Sequence, residues 1–171
     1  RLPRSWERDL SAVVSKLRAL LVSVGLDEPV RTAMGCYQLR LGPGATIDMF
    51  DAMWFVEEAE AALGRGDVRA AHAAISVAYE HCRREFLPGE GGAWVEARRA
   101  ERHLLWVRAL DVLIEVDIRR GVFPEGRRMA LQLIELEPYR ESSYAALMRL
   151  QLAAGDRADA LKTYARARTL L

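Results

Sequence analysis

The sequence is poor in cysteine and has no long apolar run. Its 171 residues include two cysteines, Cys36 and Cys82. They are too few for a disulfide framework in a chain of this size, which favours the reducing cytoplasm. No apolar stretch reaches the length of a membrane span. The N-terminal segment RLPRSWERDL is charged and predicts no signal peptide. Because the chain starts at Arg1 rather than Met, we expect it to be a piece of a longer protein.

Sequence patterns for catalysis and for metal or cofactor binding are also missing. His72, His81 and His103 share no metal-ligand spacing. The segment GEGGAW (89–94) is rich in glycine, but it precedes a predicted helix and lacks the lysine of a phosphate-binding loop. We expect it to be an inter-helix loop. The sequence therefore predicts no enzyme activity, no metal site and no cofactor.

The overall charge says little about partners. The net charge is +1, which by itself indicates neither nucleic acid nor a membrane. Residues 1–45 contain seven Lys or Arg and four Asp or Glu, whereas the remainder contains 18 and 20. Lys16 and Lys162 are the only lysines. Since such an arginine bias also follows from a GC-rich genome, it is not evidence for nucleic-acid binding.

The first predicted helix has two contrasting faces. It begins at Ser5 as N-cap, with Glu7 in its first turn, and ends near Gly25. An apolar stripe at helical spacing predicts packing against a core: Trp6, Leu10, Val13, Val14, Leu17, Leu20, Leu21 and Val24. The opposite face carries small residues and arginine, flanked by basic residues: Arg8, Ser11, Ala12, Ser15 and Ala19, with Lys16 and Arg18 beside them. Small side chains suit entry into a DNA major groove, and flanking basic side chains suit phosphates.

Two short segments rich in β-formers follow this helix, PVRTAM and YQLRL. They predict a hairpin joined through Gly35 and Cys36, which ends at the GPG break (42–44). A helix followed by a hairpin has the order of the recognition helix and wing of a winged-helix domain. Arg31 and Thr32, on the first strand, are then candidates for phosphate contacts.

The rest of the chain is predicted to be helical. Six helices are expected, at 48–64, 68–84, 92–120, 124–136, 140–154 and 157–171. The short loops predict that sequential helices pack as antiparallel neighbours. Trp54, Trp94 and Trp106 have apolar neighbours at helical spacing and are expected in the core, with Trp94 the most exposed of the three.

A repeat runs through these helices. Two Gly-Asp pairs, Gly66-Asp67 and Gly155-Asp156, are followed by small and larger residues at the same distances. These residues are Ala71, Ile75 and Ala78 after the first pair, and Ala160, Tyr164 and Ala167 after the second. Gly121 lies 34 residues before Gly155, and Gly126, Ala130 and Leu133 take the matching positions. This pattern resembles the tetratricopeptide repeat, a helix–turn–helix unit. Tyr164 is expected to fill the groove between the paired helices.

The whole arrangement resembles a known family. SWERDLSAVVSKLRALLVSVG followed by VRTAMGCYQLRL is similar to the C-terminal half of an OmpR-type winged-helix domain, on the motifs V-S-K-L-R (14–18) and R-T…G-x-Y-x-L (31–39). The remainder resembles the bacterial transcriptional activation domain of the AfsR/SARP family, above all LEPYRESSYAALMRLQLAAGDRADALKTYARARTLL. The resemblance implies a mainly α fold: a partial winged helix (1–47) and a tetratricopeptide-like bundle (48–171).

The resemblance also implies a function. Members of this family are cytoplasmic transcription activators that bind promoter DNA and recruit RNA polymerase through sigma factor; a homodimer is a further candidate assembly. Carried over by position, the expected DNA contacts are Arg8, Ser11, Ser15, Lys16, Arg18, Arg31 and Thr32. Two alternatives stay open: an interaction module whose first helix is only an interdomain strut, and a ligand-gated sensor.

Overall fold

The computed structural model describes residues 5–171. The chain separates into two compact units at the junction between Thr46 and Ile47. The predicted first domain, 1–47, includes residues 1–4, and these lie outside the described residues. The described residues are mainly helical, with seven helices and one two-stranded hairpin, which confirms the predicted fold class.

The first unit consists of one helix and one hairpin. Helix α1 spans Trp6–Ser23, strand β1 spans Val30–Ala33 and strand β2 spans Cys36–Leu39. Ser5 precedes the helix, but its hydroxyl donates to Asp9 Oδ2 at 2.9 Å instead of capping a backbone N–H. The strands are antiparallel, with Ala33 paired to Cys36.

The hairpin turn lies one residue earlier than predicted. Met34 and Gly35 form it, with φ angles of 51° and 74°, whereas Cys36 belongs to β2. Two consecutive positive φ values are typical of the tight turn whose twist matches paired strands. Gly35 adopts this conformation without steric cost.

The second unit contains six helices at nearly the predicted positions: α2 Asp48–Gly64, α3 Val68–Cys82, α4 Ala93–Arg120, α5 Phe123–Leu136, α6 Glu141–Ala153 and α7 Arg157–Leu170. Each helix packs against the next in sequence. Helix α4 is the longest and also contacts α2 and α6. It therefore links the first helix pair to the last.

The three repeat units end their first helices in the same way. Gly66, Gly121 and Gly155 have φ angles of 79°, 72° and 84°. In each turn the backbone N–H of the next residue donates to a carbonyl five residues back. This is the Schellman arrangement, which satisfies carbonyls at a helix C-terminus and favours glycine. The shared geometry supports the predicted repeat register.

Two hydrophobic clusters form the core of the second unit. The first joins α2 and α3 to one face of α4, and includes Val56, Ile75 and Val116. The second joins another face of α4 to α5, α6 and α7, and includes Leu110 and Leu133. Because Tyr79, Trp106 and Met129 pack against both clusters, the two form one continuous core.

The segment EPYR (137–140) ties α6 to α4. Arg140 donates to both carboxylate oxygens of Asp111, at 3.1 and 2.7 Å. Glu137 lies 2.6 Å from Nε2 of His103. Tyr144, which is 1% exposed, donates to the carbonyl of Pro138 at 2.8 Å. A bidentate arginine contact fixes relative orientation as well as distance.

Three predictions about aromatic residues are wrong, since Tyr164, Trp54 and Trp94 all lie outside the core. Tyr164 does not fill the groove between the paired helices, since it is 54% exposed. The buried residues of α7 are Ala160, Thr163 and Ala167, and the large side chain buried nearby is Tyr144. Trp54 is also outside the core, at 57% exposed. Both side chains extend from helix faces that the neighbouring helices leave uncovered.

The loop before α4 is held by an arginine of that helix. Arg99 donates to the carbonyls of Phe86, Leu87 and Glu90, at 3.1, 2.8 and 3.0 Å. Trp94, which follows the glycines, is exposed and has its ring centroid 5.7 Å from that of Phe86. Residues 89–92 of the GEGGAW segment thus belong to an inter-helix loop that Arg99 anchors through backbone carbonyls, whereas Ala93 and Trp94 begin α4.

Candidate nucleic-acid interface

Arg18 joins the first helix to the hairpin. Its Nε donates to the carbonyl of Val30 at 3.0 Å, and its Nη2 donates to Thr32 Oγ1 at 2.8 Å. The guanidinium carbon lies 5.9 Å from the centroid of the Tyr37 ring. Arginine suits this position because its planar fork can serve two acceptors and stack on an aromatic face. The geometry makes Arg18 the residue that positions the hairpin against α1.

Tyr37 is the second link between helix and hairpin. Its hydroxyl lies 3.3 Å from Ser11 Oγ, so the ring spans from Ser11 to Arg18, two turns of α1. From the sequence, Tyr37 is recognisable only as part of the R-T…G-x-Y-x-L motif. The signal for its role was the strand position that places it opposite Thr32 in the hairpin register.

The apolar core of this unit is small. Val14 of α1, Val30 of β1 and the preceding Pro29 are its buried apolar side chains in the described part of the unit. Most members of the predicted apolar stripe are exposed within the described residues: Trp6, Leu10, Val13, Leu17, Leu20 and Val24. The hairpin contacts α1 at Ser11 and Arg18, along the edge of the stripe where Val14 is buried, and most of the stripe stays exposed.

Three of the predicted DNA-contacting residues have free side chains. Arg8, Ser15 and Lys16 are exposed. Within residues 5–171 their side chains make no hydrogen bond or ion pair. They lie on the side of α1 that the apolar stripe does not occupy. This small, partly basic face has the chemistry that the sequence analysis proposed for a groove contact.

The other four predicted residues have partners inside the unit. Ser11 and Arg18 contact the hairpin, and Thr32 accepts from Arg18. Arg31 pairs with Glu28 at 3.1 Å, and both side chains are more than half exposed. Exposed pairs of this kind contribute little to stability and exchange readily with other charges. The geometry therefore separates free candidates from residues that shape the unit.

The part of the chain that the structure describes contains neither a membrane-spanning helix nor a cluster of metal ligands. None of the helices there combines the length and apolar character that crossing a membrane requires. No group of three or more His, Cys, Asp or Glu side chains is arranged to hold a metal ion in residues 5–171.

Comparison with known proteins identifies the second unit. Residues 47–171 match the bacterial transcriptional activator domain. The match starts at the junction where the two compact units separate. A search of curated proteins finds no match to the chain. The family is one of transcription activators rather than enzymes. Since the match covers well over half of its length, the chain belongs to the bacterial transcriptional activator domain family.

Proposed function

We propose that the first unit binds promoter DNA and that the helical unit contacts the transcription machinery. In this account residues 1–47 are the C-terminal part of a winged-helix DNA-binding domain. Residues 48–171 recruit RNA polymerase, through sigma factor, or a second copy of the protein. The site of action is the cytoplasm. The observation that supports DNA binding is the free face of α1, where Arg8, Ser15 and Lys16 lie exposed beside a hairpin held by Arg18.

The seven candidate residues have two different roles in this proposal. Arg8 and Lys16 neutralise phosphates, and Ser15 reaches a base edge, because base contacts specify and phosphate contacts position. Arg31 exchanges Glu28 for a phosphate when DNA is present. Arg18, Thr32 and Ser11 act by holding the hairpin in position, so that helix and wing meet the duplex together.

The test is a footprint of the intact protein on the DNA next to its own gene, followed by affinity measurements over a range of salt concentrations. Lys16→Ala is expected to weaken binding and to reduce the slope of log affinity against log salt by about one. Arg69→Ala is the matched control, since Arg69 is an exposed arginine of α3 in the second unit.

Arg18 needs a different pair of variants. Arg18→Ala removes a charge and the hairpin contacts, whereas Arg18→Lys keeps the charge but cannot reproduce both hydrogen bonds. We expect both to weaken DNA binding, with Arg18→Lys leaving the salt slope unchanged. Unchanged affinity for both Lys16→Ala and Arg18→Ala rejects the DNA-binding role of this face.

One observation favours the alternative, in which α1 is a protein-contacting strut and the chain is an interaction module. The apolar stripe of α1 is exposed in the described residues, with Val13 and Leu20 more than half exposed. An exposed apolar stripe is typical of a protein contact. The same footprint decides the issue, because a strut protects no DNA.

A further inference from the structure

Two adjoining grooves lie among α5, α6 and α7. The larger has a volume of about 470 Å³ and the smaller about 260 Å³. Arg127, Leu131 and Gln151 line both, so the grooves form one trough, which we call the α5–α7 groove. Its size lies within the range typical of ligand sites. All of its lining residues belong to the second unit.

The floor of the α5–α7 groove is apolar. Leu131, Leu147 and Leu150 lie along it, with Phe123 and Pro124 at one end. Leu131 is 40% exposed, although Leu147 and Leu150 beside it are buried. Leu131 therefore offers a contact for one apolar side chain of a partner.

A buried amide lies in this apolar floor. Gln151 is 4% exposed, and its Oε1 accepts from Thr163 Oγ1 at 3.0 Å. Among the hydrogen bonds of residues 5–171, its Nε2 takes part in none, and it is not among the fully enclosed polar atoms. A primary amide carries two N–H donors. Because Nε2 is open to the groove and makes no hydrogen bond within these residues, its N–H groups can donate to a carbonyl or carboxylate oxygen of a ligand.

The rim of the groove is more basic than acidic. Four basic side chains line it, namely Arg127, Arg128, Lys162 and Arg166. Two acidic side chains, Asp156 and Asp159, line it as well. Asp159 lies 2.8 Å from Arg127 and 3.1 Å from Lys162. The hydrogen bonds from Arg127 and Lys162 lower the pKa of Asp159. Arg127 is thus held by carboxylates, whereas Arg128 has a single 3.5 Å contact, to Glu125, and Arg166 has no ion pair in the described residues.

We infer that the α5–α7 groove binds an extended acidic peptide segment of a partner protein, with one apolar side chain on Leu131. Gln151 donates to a main-chain carbonyl of that segment, and Arg128 and Arg166 meet its carboxylates. Nucleic acid fits this groove less well, because the apolar floor around Leu131 and Leu147 offers no partner to a phosphate backbone. The inference rests on the proposed function in one respect: it names the surface through which the helical unit contacts a protein.

The test uses the whole chain and a fluorescein-labelled octapeptide, DELDEFDE. Two control peptides replace either all its acidic residues with lysine or its Leu and Phe with serine. We expect the first peptide to bind and both controls to bind at least about tenfold more weakly. Leu131→Asp and the double variant Arg128→Glu/Arg166→Glu are expected to weaken binding by about tenfold, with Arg69→Glu as matched control.

Several results overturn the proposal. Equal binding of the acidic and lysine peptides removes the charge argument, and unchanged binding by both groove variants removes the site. If the chain is dimeric in sedimentation and Leu131→Asp makes it monomeric, the occupant is a second copy and not a peptide. Thermal unfolding of each variant establishes whether it is folded. If Leu131→Asp does not fold, the double variant Arg128→Glu/Arg166→Glu still tests the site.

Promoter binding by the same variants separates this inference from the proposed function. The groove variants are expected to lose the peptide and keep the DNA. Lys16→Ala is expected to do the reverse. Peptide binding by a protein that shows no DNA footprint rejects the promoter role but not the peptide site in the groove. A DNA footprint without peptide binding rejects only the peptide site.

Discussion

At the residue scale, the two cysteines are in opposite environments. Cys36 is exposed on β2, and Cys82 is buried at the end of α3. Burial raises the pKa of the Cys82 thiol to about 11. The charge of Asp48 also raises this pKa, whereas the charge of nearby Arg102 lowers it. Because the thiolate is the nucleophile, a raised pKa and burial both suppress reaction.

We predict that iodoacetamide at about pH 8 labels Cys36 and leaves Cys82 unmodified in the folded protein. Mass spectrometry of tryptic peptides measures the two sites separately. In denaturant both cysteines should react, which provides the control. Equal labelling rates in the native protein contradict the buried position of Cys82.

Asp117 is a buried carboxylate in α4. It is 4% exposed, and Arg120 lies 3.4 Å away. Burial raises its pKa, while Arg120 and His72 oppose the rise and Glu125 adds to it. A carboxyl group with a raised pKa binds its proton more tightly in the folded state than in the unfolded state. Its ionisation therefore lowers stability as the pH rises from the unfolded pKa to the folded pKa.

Asp117→Asn is expected to remove this loss. The variant should have a higher melting temperature than the parent at about pH 7, and the difference should shrink as the pH falls and the parent carboxyl takes up its proton in the folded state. Thermal unfolding at a series of pH values measures the effect. A variant that is less stable at neutral pH, with an unchanged pH profile, contradicts the assignment.

At the element scale, two glycines illustrate different constraints on the repeat. Gly155 has a φ of 84° with open space around it, so its conformation alone restricts substitution. Gly126 is helical, and a Cβ there would lie 2.7 Å from Leu150 Cδ2 and 3.1 Å from Asp117 Cβ. The close approach of α5 to α4 and α6 requires a residue without a side chain at this position.

We predict that Gly155→Val and Gly126→Ala each lower the free energy of unfolding by about 1–3 kcal/mol, through backbone strain in the first case and overpacking in the second. Gly64→Ala is the matched control. Gly64 is a helical glycine with nothing near its Cβ position, and alanine there should be neutral or stabilising by up to about 1 kcal/mol. Urea unfolding compares the three, and equal stability of all variants contradicts the repeat register.

The elements were predictable because glycine and proline mark their ends. Helix boundaries agree with the prediction within about two residues, since Gly66, Gly121, Gly155 and Pro138 break the helices where expected. The roles of Tyr164 and Arg18 were not predictable. A helical period shows which residues share a face but not which face a neighbour covers. In α1 the hairpin contacts only one edge of the apolar stripe, at Ser11, Val14 and Arg18, and the helical period does not show this.

At the scale of the whole molecule, the chain consists of two units with different surfaces. The first has a small core and a free, partly basic helix face. The second has a continuous core and belongs to a transcription-activator family. We propose that the first unit binds the promoter and that the second contacts the transcription machinery.

The most direct test is run-off transcription from the promoter found by footprinting, with purified RNA polymerase and sigma factor and with or without the intact protein. We predict that the protein increases the amount of transcript and that Lys16→Ala reduces the increase as it reduces promoter occupancy. Arg69→Ala should behave as the parent. An occupied promoter with unchanged or reduced transcript contradicts the account.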